Sequence, residues 1–128
     1  MNELVGQTGA WLQTVLRGIP ARISAVYIEY TDAHTPKMVH LVVFNAFGFE
    51  SLANGRFDPS NRDHVGELGE FTWEPPNECQ FEAEVYPDTD WMCVLKNAAQ
   101  TPEVMALAAE HTIQLVVGEH DGTTFVIR

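Results

Sequence analysis

The sequence predicts a single α+β domain, residues 1–128, in which an antiparallel sheet carries helices on one face. The chain is 45% hydrophobic and 20% charged, which is typical of one globular domain of this length. Residues 37–49 form a nearly continuous apolar run, which indicates a strand covered on both faces. Residues 79–86 alternate between apolar and polar types, which indicates a strand with one face in water.

The first three elements are predicted from periodicity and from helix-breaking residues. Apolar residues at helical spacing predict a helix over 3–18, which Gly18 and Pro20 end. The β-branched and aromatic residues of 21–30 predict a strand. This strand pairs with 37–49 as an antiparallel hairpin, and the stretch Val39 to Phe47 of the second strand is expected at the centre of the sheet.

The middle of the chain is predicted as a loop followed by two strands. Residues 50–69 are rich in Gly, Asp, Pro and Asn, which favours a loop. Residues 71–73 form a short strand, and 79–86 form a longer one. Alternation predicts that the second strand packs one side and exposes the other, with Gln80, Glu82, Glu84 and Tyr86 on the wet side.

Two helices and a hairpin complete the predicted order. Asp88 or Asp90 can cap a helix that runs through Ala99, and Thr101 caps a second helix that has Pro102 at its first position. Residues 112–127 then read as a β-hairpin around the favoured turn dipeptide Asp-Gly. Strands that precede and follow a pair of helices in this way suit an α+β sandwich.

Motifs for catalysis, cofactors or metals do not emerge from the sequence. It contains no GxGxxG or phosphate-binding loop, and no histidine pair has the spacing of a ligand set. Cys79 and Cys93 are predicted as buried, unbridged thiols in a reducing compartment. The chain is therefore predicted to be a non-enzyme with no catalytic, cofactor-binding or metal-binding residues, located in the cytoplasm. No stretch has the composition of a secretory signal or a membrane span.

The charge balance narrows the class of partner. Eighteen acidic residues against seven basic ones give a formal charge of −11. This excess argues against binding to nucleic acid or to an anionic membrane, since both require clustered Lys and Arg. It suits a basic protein as the partner.

The acidic residues are concentrated in one stretch. Residues 63–95 contain no Lys or Arg over 33 positions. Because surfaces ordinarily mix both signs of charge, this gap favours a binding surface with aromatic anchors inside a charged rim. The predicted partner-binding residues are Glu70, Trp73, Glu74, Glu78, Glu82, Glu84, Tyr86, Asp88 and Asp90.

The layout of residues 10–91 resembles that of small acidic immunity proteins from bacterial polymorphic toxin systems. The resemblance is carried by a short N-terminal helix ending in Ile19-Pro20, by the strand AVYIEY, and by the acidic stretch with its Trp. It implies that the chain binds and neutralises a basic toxin. The resemblance assigns no functional role to any individual residue of this chain.

Two other functions remain open. Type III secretion chaperones are similar in being small, acidic, dimeric α+β proteins that begin with a helix. Those chaperones usually end in a further helix, whereas this chain ends in the strand-like VIR. The second alternative is a small-ligand or catalytic domain with a pocket near loop 50–69.

Overall fold

A computed structural model describes residues 2–51, 69–120 and 122–128 of the chain. Within these residues lie three α-helices, five strands and one 3₁₀ turn. Most of the predicted loop 50–69, and the first half of the predicted Asp-Gly turn, lie outside the described residues. The elements are α1 (Asn2–Arg17), β1 (Ala25–His34), β2 (His40–Phe49), β3 (Cys79–Glu82), α2 (Trp91–Ala99), α3 (Pro102–Glu110), β4 (Gln114–Glu119) and β5 (Thr124–Val126).

The five strands form one sheet in the order β3-β2-β1-β4-β5. Three neighbouring pairs are antiparallel, and the β1–β4 pair is parallel. The predicted α+β class is confirmed, and the sheet is mostly antiparallel as predicted, with the β1–β4 pair as the parallel exception. The reason is that α2 and α3 carry the chain across the sheet, so that β4 arrives beside β1 in the same direction.

The prediction that residues 39–47 lie in a central strand holds only in part, because β1 occupies the middle position of the sheet. β2 is nevertheless an interior strand that is paired on both sides. Its two-sided burial has a structural basis: Val42 and Phe44 belong to the core beneath the helices, while Phe49 belongs to a second buried cluster on the opposite face. The apolar run thus identified an interior strand rather than the middle one.

The β1–β2 hairpin is confirmed, but its turn lies later in the chain than the sequence predicts, so β1 ends at His34 rather than at residue 30 and β2 begins at His40 rather than at residue 37. The turn is formed by Thr35 to Val39, where Met38 N donates to Thr35 O at 2.8 Å and Thr35 N donates to Val39 O at 3.0 Å. Pro36 suits the second position of such a turn, and Met38 adopts a left-handed φ of 63°. Because the turn is this tight, β1 extends to His34.

Both predicted N-cap residues occupy the N-cap position, but only Asp90 caps its helix through its side chain. The Asp90 carboxylate accepts a hydrogen bond from Cys93 N at 3.1 Å, which caps α2. Thr101 occupies the N-cap position of α3, with Pro102 at the first helical position. The Thr101 hydroxyl donates to Ala98 O at 2.9 Å rather than capping its own helix.

The predicted strand 79–86 is only half formed. β3 ends at Glu82, opposite Leu41, and Ala83–Val85 form a 3₁₀ turn. Val85, predicted to face inward, is 61% exposed, whereas Tyr86, predicted on the wet face, is half-buried. The turn allows the Tyr86 ring to pack edge-on against Phe81, with centroids 6.0 Å apart, which a continued strand would prevent.

The predicted strand 71–73 is reduced to one bridge, between Trp73 and Gly48. A Cβ atom at Gly48 would lie 3.0 Å from the Trp73 ring and 3.2 Å from the Ile23 side chain. The absence of a side chain at Gly48 is therefore what allows the indole to lie against the sheet.

Both cysteines are unbridged, as predicted, but each is only partly buried. Burial raises the pKa of the Cys79 thiol to about 11, from an ordinary value of 9.0. We expect Cys79 to react with iodoacetamide at pH 8.5 more slowly in the native protein than in urea, because the native thiol holds less thiolate. Peptide mass spectrometry over time measures this. Equal native and denatured rates at Cys79, or no free thiol after denaturation, would contradict it.

Candidate functional site

The segment from Trp73 to Glu82 runs along the outer edge of β2. Trp73 lies opposite Gly48, Cys79 opposite Phe44, and Glu82 opposite Leu41. From Gly48 to Leu41 this path covers roughly 23 Å at strand spacing. Because β3 is the outermost strand, the carboxylates of this segment lie along one edge of the sheet and its continuation.

All seven acidic residues predicted for the partner surface are exposed. We call them the acidic edge: Glu70, Glu74, Glu78, Glu82, Glu84, Asp88 and Asp90. Within the described part of the chain, none of them forms an ion pair with a basic side chain; the ion pairs there are Arg22–Glu50, His40–Asp32 and His120–Glu29. The acidic edge is therefore a concentration of negative charge that described neighbours do not neutralise.

Two members of the acidic edge also have local structural roles. Asp90 caps α2, and Glu78 accepts a hydrogen bond from the Gln80 side chain. Glu82 and Glu84 do not share a strand face as predicted, because Glu84 lies in the 3₁₀ turn beyond the end of β3. Both carboxylates are still exposed and only two positions apart, so their contribution to the field remains.

Tyr86 does not project as the predicted anchor. Its ring contacts Phe81 and Trp91 edge-on, at centroid distances of 6.0 and 6.1 Å. Phe44 packs beneath this cluster against the same two rings. Tyr86 therefore joins the acidic edge to the core, and its half-exposed part faces a shallow cavity of about 370 Å³.

Trp73 is half-buried and lies on the side of the acidic edge nearest α1. It lines a groove with Trp11, whose indole Nε1 donates to Asn77 O at 3.1 Å. This hydrogen bond ties α1 to the segment that follows Trp73. Trp73 is consequently the better placed of the two predicted anchors, since its ring borders an open apolar surface.

The edge of β2 has a gap between its contacts with Trp73 and Cys79. Gly48 donates to Trp73 O at 2.7 Å and accepts from Thr72 N at 2.9 Å. Alternation along an antiparallel strand directs the N–H and C=O of Ala46 toward the same side. There they face a cavity of about 710 Å³, whose lining residues include Glu74 and Glu78. We call this cavity the acidic notch.

The structure also brings together four polar residues that the sequence did not connect. The Tyr30 hydroxyl donates to Asp32 at 2.8 Å, and the other carboxylate oxygen of Asp32 lies 2.6 Å from His40 Nε2. The rings of His34 and His40 stack at 4.7 Å across the hairpin. The sequence signal that could have indicated this pairing is the Thr-Pro turn at Thr35. Extending both strands symmetrically from that turn places His34 opposite His40.

This network holds the His40 ring beside the Asp32 carboxylate. Burial and the hydrogen bond to Asp32 raise the pKa of the Tyr30 phenol above its ordinary value, so the phenol stays protonated. The cavity beside it is lined by Asp32, Glu84 and Asp88, without a Ser, Cys or Lys among its described residues. The network thus extends the negative charge of the acidic edge around the end of the hairpin.

Comparison with protein-family models, curated proteins and solved structures gives no match to this chain. The surface chemistry of the chain is therefore what bears on its function. Among the described residues, no group of three or more His, Cys, Asp or Glu has the arrangement of a metal site. No helix in that part of the chain is both long and apolar enough to cross a membrane.

Proposed function

We propose that this chain is a non-enzymatic module that binds a basic protein through the acidic edge. Its specific form is an immunity protein of the bacterial cytoplasm, which neutralises a cognate basic toxin. The observation that carries the proposal is the exposure of seven carboxylates that described basic side chains do not neutralise, three of which, Glu74, Glu78 and Glu82, belong to the segment along the outer edge of the sheet. Such an arrangement concentrates a field of one sign on one side of the molecule.

The cost of this arrangement supports a binding role. Neighbouring carboxylates repel one another, and a few oppositely charged side chains would relieve the repulsion. The chain instead has no Lys or Arg from residue 63 to 95, while Lys96 lies over the Phe125 ring, with its Nζ 4.0 Å from the ring centroid. A basic partner offsets the repulsion on binding, and the uncompensated field accelerates its encounter.

The aromatic residues supply the second component of an interface. Trp73 is half-buried beside the acidic edge, where a partner can exclude water from it. Interfaces draw much of their affinity from such buried aromatic anchors, while the charged rim governs the association rate. The acidic edge and Trp73 together thus provide both components.

Salt dependence of association tests the proposal. The partner is sought among products of adjacent genes and by pull-down from the native host, and neutralisation is measured as rescue of growth on co-expression. We expect the association rate constant to fall by about ten-fold or more between 0.05 and 0.5 M NaCl, because salt screens the field of the acidic edge. The dissociation rate is expected to change less.

The association rate constant is measured by stopped flow. A nonionic solute that gives the same viscosity as the salt solution is the control, because it slows diffusion without screening charge. An association rate that is independent of salt would contradict the electrostatic role of the acidic edge. Failure of co-expression to rescue growth, despite binding, would contradict the immunity function while leaving the binding role in place.

A further inference from the structure

A preformed apolar groove lies between α1 and residues 73–77. It encloses about 260 Å³, and its lining is mostly apolar: Trp11, Val15, Trp73, Pro75 and Pro76, with Thr14, Gly18 and Asn77 completing it. Val15 is 3% exposed and belongs to the core, whereas both Trp side chains are half-buried. The groove therefore presents aromatic and aliphatic surface to solvent.

Several contacts hold the groove open. The hydrogen bond from Trp11 Nε1 to Asn77 O fixes the distance between α1 and the opposite wall. The Trp73 backbone is tied to Gly48, and the consecutive rings of Pro75 and Pro76 restrict the chain that follows. Binding to such a preformed site avoids much of the entropic cost of ordering it.

The far wall of the groove is shared with the acidic notch. Pro75, Pro76 and Asn77 line both cavities, and Glu74 and Glu78 line the notch alone. A single stretch of chain thus has apolar surface on one side and two carboxylates on the other. This combination complements a partner segment that has an apolar side chain close to a Lys or Arg.

We propose that the groove binds one aromatic or large aliphatic side chain from a basic partner, while a neighbouring Lys or Arg enters the acidic notch. This inference rests on the proposed function, because it assigns the anchor of that interface. A second copy of this chain is a poor occupant: it carries a net charge of −11, and the carboxylates of the two copies would repel.

Two model peptides test the groove without the natural partner. One carries a single Trp among Arg and Lys residues, and the other has Ala in place of that Trp. We expect the Trp peptide to bind at least about ten-fold more tightly, since burying an indole adds affinity beyond the shared charges. Affinities are measured by titrating fluorescently labelled peptide, and amide shifts in NMR spectra locate it.

Matched variants on α1 give the specificity control. Thr14→Tyr places a ring in the groove, whereas Ala10→Tyr adds the same ring at an exposed site on the same helix outside the groove lining. We expect T14Y to reduce affinity for the Trp peptide to that for the Ala peptide, and A10Y to leave it unchanged. Thermal unfolding of both variants verifies that they fold.

Other outcomes overturn the inference in distinguishable ways. If the two peptides bind with equal affinity, and salt weakens both, the groove takes no part in binding and the acidic edge is the binding surface. Failure of both peptides to bind, together with salt-independent association of the natural partner, would overturn both proposals. Dimerisation of the chain alone, abolished by T14Y but not by A10Y, would identify a second copy as the occupant.

Discussion

Replacing Glu82 and Glu84 with Lys is expected to slow association with the basic partner by about ten-fold to several hundred-fold. Both carboxylates are exposed, and they lie where β3 ends and the 3₁₀ turn begins. Reversing them places positive charge within the acidic edge, so the field that steers the encounter weakens and the remaining salt dependence flattens. Stopped-flow association over a range of ionic strength measures both effects.

A matched control distinguishes the acidic edge from net charge. Each Glu→Lys change replaces a negative charge with a positive one and so raises the net charge by two. Both E82K/E84K and E103K/E110K therefore move the net charge from −11 to −7. Glu103 and Glu110 are exposed on α3, away from the acidic edge, and their reversal is expected to slow association far less. If the two double variants slow association equally, the slowing comes from the change in net charge rather than from the acidic edge. Unchanged association for E82K/E84K would show that the acidic edge is only a solvated surface.

Replacing Phe44 with Ala is expected to lower the free energy of unfolding by about 3–5 kcal/mol. Phe44 is fully buried in β2 and packs against Tyr30, Phe81 and Trp91 at centroid distances of 6.1–6.5 Å. Truncation removes its burial and leaves a cavity that these rings cannot fill by small shifts. Urea unfolding followed by fluorescence measures the change.

Phe71→Ala is the control of the same chemistry at the surface. Phe71 is 49% exposed and its ring contacts that of Phe47 at a tilt of 54°, with centroids 4.9 Å apart, so its truncation is expected to cost about 1 kcal/mol or less. A similar loss for both variants would contradict the central role of the Phe44 cluster. Because Phe81 of β3 packs on Phe44, F44A is also expected to loosen the acidic edge, seen as faster amide exchange at Gln80 and Glu82.

Local signals in the sequence were sufficient for the helices and for the character of the strands. The C-terminal end of α1, the cap at Asp90 and the start of α3 at Pro102 all follow from residues within one turn of the boundary. The two-sided apolar run correctly indicated an interior strand at β2. The exposure of all seven predicted carboxylates also followed from sequence, because an unpaired charge is costly to bury.

The failures share a different physical origin. The position and direction of β4 beside β1 depend on how α2 and α3 cross the sheet. Local periodicity in the sequence carries no information about that crossing. Likewise, alternation placed Tyr86 on the wet face, but packing against Phe81 and Trp91 ended the strand early. In the first case the pairing of distant segments decided the outcome, and in the second the packing of side chains five positions apart outweighed the alternation.

The sequence by itself determined that this protein is an acidic α+β chain whose carboxylates gather between residues 63 and 95. Only the tertiary structure decided how they are displayed, because strand pairing laid residues 73–82 along the edge of β2. It also created the groove between Trp11 and Trp73, residues 62 positions apart in the chain, through a hydrogen bond and packing that link separate elements. Charge is a property of the residue types, whereas a groove exists only once distant segments have packed together.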